Sequence, residues 1–237
     1  MEHQELLWNG VTLLQADRHF QLGTDSVCCA AFSSFHKHSR VADLGCGSGA
    51  LALMLLASDP TLQITGIELQ QQAAEAAIKN AQHNNLQAQF QVLHGDLRQI
   101  RSLLPAGSMD GVISNPPYFP VGSGQRCTDR ELAAARSEET CTLPQLTEAA
   151  SWLLKWGGRF CLVHRPERLA DLIWELRTQT LEPKRIRFVR HHAGAPVSLV
   201  LLEARKGGKP GLQYEQDLIL FHENGEETAE CRAVYHR

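Results

Sequence analysis

Four consecutive residues, Asn115, Pro116, Pro117 and Tyr118, carry groups suited to holding a flat, amine-bearing molecule. An amine conjugated to a ring or a carbonyl is a poor nucleophile, because its lone pair is delocalised. Two hydrogen-bond acceptors, one per N–H, draw that lone pair out of conjugation. The side-chain oxygen of Asn115 is one such acceptor, and the carbonyl of Pro116 is the other. The prolines set φ near about −65° and force Asn115 into an extended conformation, which holds both acceptors in place. Proline also brings no N–H donor to misdirect the site. Tyr118 offers a ring on which a flat base stacks. Acceptors that are already in place need no reorganisation during reaction.

A second constellation, "DLGCGSGA", lies between an apolar strand pattern and an apolar helix pattern. Gly45 permits the tight turn, Gly47 lets a ligand approach the backbone, and Gly49 lets the following helix pack closely. The spacing is GxGxG rather than the dinucleotide GxGxxG, and Asp43 stands two residues before the first glycine. A pyrophosphate needs bare N–H groups at a helix N-terminus. A carboxylate there repels phosphate and favours a cation such as an ammonium or a sulfonium, which argues against a nicotinamide dinucleotide. Glu68, followed by Leu69 in "GIEL", ends the next strand and suits the two hydroxyls of a ribose. Asp96, in "HGDL", follows the third strand and suits an adenine amino group. Ligands of open α/β sheets bind at such strand ends.

These residues require a particular scaffold. From residue 40 to 180 strand and helix patterns alternate, which implies a mostly parallel sheet with helices on both faces. "KRIRFVRHH" and "PVSLVLLEARK" follow with no helix between them, so they are expected to form an antiparallel hairpin at one edge. The expected organisation is one domain over 1–237. Residues 1–39 form an N-terminal segment whose "TDSVCCAAFSSF" is a helix capped by Thr24 or Asp25, 40–205 form the core, and 206–237 form a Gly-rich polar tail.

Composition narrows the class. No run of 18 apolar residues exists, so no transmembrane helix is expected, and the start lacks the basic-then-apolar pattern of a secretory signal. Seven dispersed cysteines without a CxxC pair read as reduced thiols in a cytoplasm. His36 with His38, and His191 with His192, lack zinc-like spacing, so no metal is expected. Trp152, Trp156 and Trp174 fall on helices or their ends and are expected in the core. The net charge is −3, yet Lys155–Lys209 holds 12 Lys or Arg against 5 Asp or Glu. That asymmetry points to an anionic partner, with Lys184, Arg185, Arg187 and Arg190 as candidate contacts, or else to a solvated basic face.

The combination resembles the class I S-adenosylmethionine-dependent methyltransferases. "VADLGCGSGALAL", "GIEL" and "HGDL" are similar to their first three motifs, and the reversed last strand of that fold is similar to the hairpin over 186–204. The resemblance implies a seven-stranded Rossmann-like sheet with S-adenosylmethionine as cofactor. It places Asp43 at the methionine end, Glu68 at the ribose, and Asp96 with the backbone of Leu97 at the adenine. "NPPY" is similar to the motif of methyltransferases that act on amino groups of adenine, cytosine or glutamine. "LLWNGVTLLQADRHFQLGTDSVCCAAF", "NPPYFPVGSG", "AARSEETCTL" and "VSLVLLEARKGGKPGL" resemble the bacterial tRNA(Val) (adenine-37-N6)-methyltransferase family over nearly the whole chain. The chain has "FQLG" where that family often has an aromatic-basic "FRFG". The resemblance implies tRNA as partner, with Gly23, Thr24 and Asp25 closing over the methionine end and Arg136 and Glu138 near the substrate entrance. A protein glutamine methyltransferase, or a methyltransferase of another RNA base amine, remains the alternative; the former usually carries a helical N-terminal domain, for which 40 residues leave little room.

Overall fold

The computed structural model describes residues 3–15, 22–116 and 141–236. Eight strands form one sheet in the order β10-β8-β9-β7-β6-β3-β4-β5. They are β3 (Arg40–Leu44), β4 (Gln63–Glu68), β5 (Phe90–His94), β6 (Met109–Ser114), β7 (Leu154–His164), β8 (Leu181–Arg190), β9 (Val197–Lys206) and β10 (Gln213–Ile219). β3 to β7 are mutually parallel, and β9 runs antiparallel to both β7 and β8. β3 is flanked by β4 on one side and by β6 on the other. Successive connections therefore leave it in opposite directions, which opens a crevice at its carboxyl end.

Helices cover both faces as the alternation requires. α1 (Thr24–Phe32), α2 (Ala50–Ser58) and α3 (Gln71–His83) serve one apolar cluster, and α4 (Ile100–Leu103), α5 (Leu143–Leu153) and α6 (Leu169–Thr178) serve the other. In α2, Leu51 to Leu56 are all buried, because α1 and the N-terminal segment cover the side turned away from the sheet. α5 starts with a capping box in which the Thr142 amide donates to the side chain of Gln145 at 2.9 Å.

Three features depart from the sequence reading. The sheet has one strand more than expected. Part of the tail, Gln213–Ile219, adds as a parallel strand outside β8, so the antiparallel hairpin sits one strand in from the edge. Ion pairs Arg185–Glu215 (2.6 Å) and Arg190–Asp217 (2.6 Å) fasten this strand, and α7 (Ala229–Val234) follows it. The N-terminal segment forms a hairpin of β1 (His3–Leu6) and β2 (Thr12–Gln15). Its outer edge is satisfied by side-chain amides of α3. Asn84 accepts from the Thr12 amide and donates to the Thr12 carbonyl, and Asn80 does the same for Leu14. Two asparagines four residues apart on one helix face match two residues two apart on the strand, so they stand in for a neighbouring strand.

The third departure concerns tryptophan. Trp152 is half-buried and donates to the Leu104 carbonyl at 3.0 Å, but Trp156 and Trp174 are 75% and 72% exposed. The cause at Trp156 is a bulge: β7 advances from Leu154 to Arg159 while β6 advances only from Met109 to Gly111. The extra residues turn outward and carry the indole with them. Among the described residues no helix is long and apolar enough to cross a membrane.

Candidate functional site

The carboxyl ends of β3, β4, β5, β6 and β7 meet at a cavity of about 340 Å³, within the range of small-molecule sites. Leu44 and Gly45 come from the end of β3, Glu68 and Leu69 from β4, and Asp96 and Leu97 from the exit of β5. Asn115 and Pro116 come from the exit of β6, and His164 from the end of β7. Ile67, Leu143 and Leu146 add apolar wall. The ends of β3 and β6 are locked together by the Ser114 hydroxyl, which donates to the Leu44 carbonyl at 2.7 Å.

The glycine turn has positive φ at Gly45, Gly47 and Gly49. A Cβ at Gly49 would come within 2.7 Å of the Phe90 ring, so α2 packs against β5 only because that side chain is missing. Glu68 fixes the turn from outside: its carboxylate accepts from the Gly47 amide at 2.9 Å and from the Gln70 amide at 2.8 Å. Each oxygen retains lone-pair capacity on the cavity side for a ligand hydroxyl. Asp96 accepts from the Arg98 backbone and, at both oxygens, from the Arg98 guanidinium. These bonds hold its carboxyl below the usual range, so it stays ionised.

Asp43 behaves differently. It is fully buried, directly before Leu44 and Gly45 of the cavity wall. Burial, reinforced by the nearby Glu68 charge, pushes its pKa up to about 8.

Asn115 is oriented by a residue that the sequence reading passed over. Its Nδ2 donates to the Ser26 hydroxyl at 2.8 Å. That bond fixes the plane of the amide, whose carbonyl oxygen Oδ1 is the acceptor type that the amine chemistry needs. Ser26 sits in the first turn of α1. The N-cap of that helix is Gly23 rather than Thr24 or Asp25. The Asp25 carboxylate accepts from the Ser26 amide at 2.8 Å, and the Thr24 hydroxyl meets Tyr235 of the C-terminal segment at 3.1 Å. None of Gly23, Thr24 and Asp25 lines the cavity. His164 was also missed. It is buried, its Nδ1 accepts from the Arg165 amide at 2.8 Å, and burial lowers its pKa, so the ring stays neutral at pH 7. No sequence signal marks either residue, because each reaches the site only through the fold.

Pro117, Tyr118, Arg136 and Glu138 lie outside the described residues. Arg185 pairs with Glu203 and Glu215, Arg187 with Glu230 and Arg190 with Asp217, while Lys184 donates to the Lys209 carbonyl. These four stand on β8, away from the cavity. Among the described residues no group of three or more His, Cys, Asp or Glu could hold a metal ion.

A family model described as the methyltransferase small domain matches residues 23–175. The chain is 34% identical over 178 residues to a protein of Porphyromonas gingivalis named tRNA1(Val) (adenine(37)-N6)-methyltransferase, covering 72% of this chain and 68% of that one. A protein of the same name from Proteus mirabilis is 36% identical over 144 residues, covering 60% of this chain and 56% of that one. Another from Photobacterium profundum is 28% identical over 215 residues, covering 90% and 88%. Among solved structures, a predicted O-methyltransferase from Agrobacterium tumefaciens superposes with a TM-score of 0.74 at 22% identity, covering 90% of this chain and 96% of that one. Geranyl diphosphate C-methyltransferase from Streptomyces coelicolor, in complex with S-adenosyl-L-homocysteine, superposes at 0.53 with 13% identity, covering 71% of each chain. At those identities the likeness is one of fold.

Proposed function

Because the chain belongs to the methyltransferase small domain family and to the tRNA1(Val) (adenine(37)-N6)-methyltransferases, we propose that it methylates the N6 amine of an adenine in tRNA, adenine 37 of a valine tRNA. The observation that carries the mechanism is Asn115, presented to the cavity at the exit of β6 with its amide nitrogen tied to Ser26.

The residues present fit S-adenosylmethionine. Glu68 offers carboxylate oxygens at the cavity wall for ribose hydroxyls, Asp96 and the backbone of Leu97 face an adenine, and Leu69 adds apolar surface beside them. When bound, the cofactor supplies an electrophilic methyl group on a sulfonium. Asn115 Oδ1 and the Pro116 carbonyl accept the two N–H bonds of the target amine and localise its lone pair for attack. The same acceptors stabilise the positive charge that develops on nitrogen until a proton leaves. Neutral His164 keeps an extra cation away from the sulfonium. Pro117 and Tyr118 belong to the same motif by sequence, and the Tyr118 ring is the group suited to stacking on the base. Gly23, Thr24 and Asp25 act through α1, whose first turn holds Asn115, and Arg136 and Glu138 serve the entrance to the site.

An adenine in a loop costs less to unstack than one in a duplex, so bringing it to Asn115 needs little strand opening. The substrate implies a cytoplasmic protein. Supplying labelled methyl donor with tRNA, ribosomal RNA and a glutamine-bearing peptide tests the reading. Label in tRNA is expected; label confined to peptide glutamine refutes it.

A further inference from the structure

The basic side chains of Lys155–Lys209 fall into two sets. Arg185, Arg187 and Arg190 are matched by carboxylates and fasten β10 and α7 to the sheet. Among the described residues a second set is matched only by neutral groups. Arg205 donates to the Gly157 carbonyl at 2.9 Å, Lys206 to those of Ser151 and Leu154 at 2.6 and 2.9 Å, and Lys184 to that of Lys209 at 3.0 Å. A carbonyl satisfies a hydrogen bond but leaves the charge in place. These cations gather at the end of the sheet where β8 begins and β9 finishes, as the pairing of Leu181 with Lys206 requires.

The 75% exposed Trp156 stands at the same end. The edge of its ring abuts Gly207, where an added Cβ would come within 2.0 Å of the indole, and Lys206 Nζ is 5.9 Å from the ring centroid. Lys155, Trp156, Arg159 and Arg205 line a hollow of about 190 Å³. The acids nearby are spent: Asp110 pairs with Lys155 and Glu182 with Arg177. An exposed indole braced by glycine, among cations not neutralised by acid, fits stacked bases and phosphates.

We propose that this end of the sheet is a second RNA-contact surface, with Trp156 stacking on an unpaired base and Lys184, Arg205, Lys206 and Lys209 meeting phosphates. It rests on the tRNA reading above. At about 3.3 Å per strand residue from Arg159 to His164, with a few Å more through the bulge, Trp156 lies roughly 20 Å from His164 at the cavity, so the surface meets a part of the RNA other than the loop being methylated. It thereby supplies the shape selection that a pocket for one base lacks.

The test compares the parent with Trp156→Ala and with the double variant Lys184→Glu/Lys209→Glu. Binding of full-length tRNA and of an isolated anticodon stem-loop is measured by filter retention across salt concentrations, and methylation of both RNAs is followed. Trp156→Ala is expected to weaken full-length tRNA binding roughly 5- to 150-fold. The double variant is expected to lower the slope of log affinity against log salt by about two units. Stem-loop methylation, cofactor affinity and the urea midpoint stay at the parental values, and the last two exclude misfolding as the cause. Parental affinity and slope for full-length tRNA in variants of an active enzyme overturn the surface alone. A parent that methylates neither RNA overturns the catalytic reading and the surface with it.

Discussion

Replacing Asp43 by asparagine removes a titrating group from the deepest position beside the site while keeping its shape. In the folded protein this carboxyl titrates at about 8 instead of 3.8, because it is buried near the Glu68 charge. Between those values the folded state holds a proton that the unfolded chain has released, so the protein loses stability as pH rises. The loss is about 1.4 kcal/mol per pH unit, or about 2.7 kcal/mol from pH 5 to pH 7. The side-chain amide of the Asp43→Asn variant does not titrate, and any fixed cost of burying it cancels when two pH values are compared. Urea unfolding of ligand-free parent and variant at pH 5, 6 and 7 measures the difference. The parent should lose about 2.7 kcal/mol relative to the variant, roughly 1 M in midpoint at a typical urea slope. A parent-minus-variant difference that stays flat across this range refutes the argument, since it places the folded pKa back near the ordinary carboxylate value.

Three further substitutions follow from the geometry. Glu68→Ala should weaken S-adenosylmethionine binding by about 1–3 kcal/mol and also lower stability, because the Gly47 and Gln70 amides lose their acceptor; calorimetry showing parental affinity would disprove the ribose role. Ser26→Ala should lower kcat about tenfold with cofactor KM unchanged, through loss of one hydrogen bond that orients Asn115, and Ser26→Thr should restore it. Parallel losses in both variants would point to packing of α1 instead. Gly49→Ala should destabilise by about 1–3 kcal/mol in urea unfolding, since its φ is +88° and its Cβ would strike Phe90.

Much of the site was legible because its signals are local. The glycine turn, Glu68, Asp96 and Asn115 each sit directly after a strand pattern, and parallel strands bring their carboxyl ends together without further information. What stayed hidden depends on contacts between distant segments. The Ser26–Asn115 bond joins residues 89 positions apart. The β1–β2 hairpin is short, and its edge is completed by Asn80 and Asn84 of a helix rather than by another strand. β10 reads as a polar tail because its acids answer arginines on β8, a match that only pairing reveals. Trp156 looked like core on apolar character alone, and a bulge set against β6 turned it outward.

The central claim is that Asn115 activates the N6 amine of a tRNA adenine. Its most direct test incubates valine tRNA with labelled methyl donor and either parent or Asn115→Ala, then digests the RNA to nucleosides. The account expects the parent to yield N6-methyladenosine from position 37, and the variant to be slower by roughly 10²–10³ with its cofactor affinity intact. Equal turnover by the two proteins, or label in a different nucleoside, would contradict it.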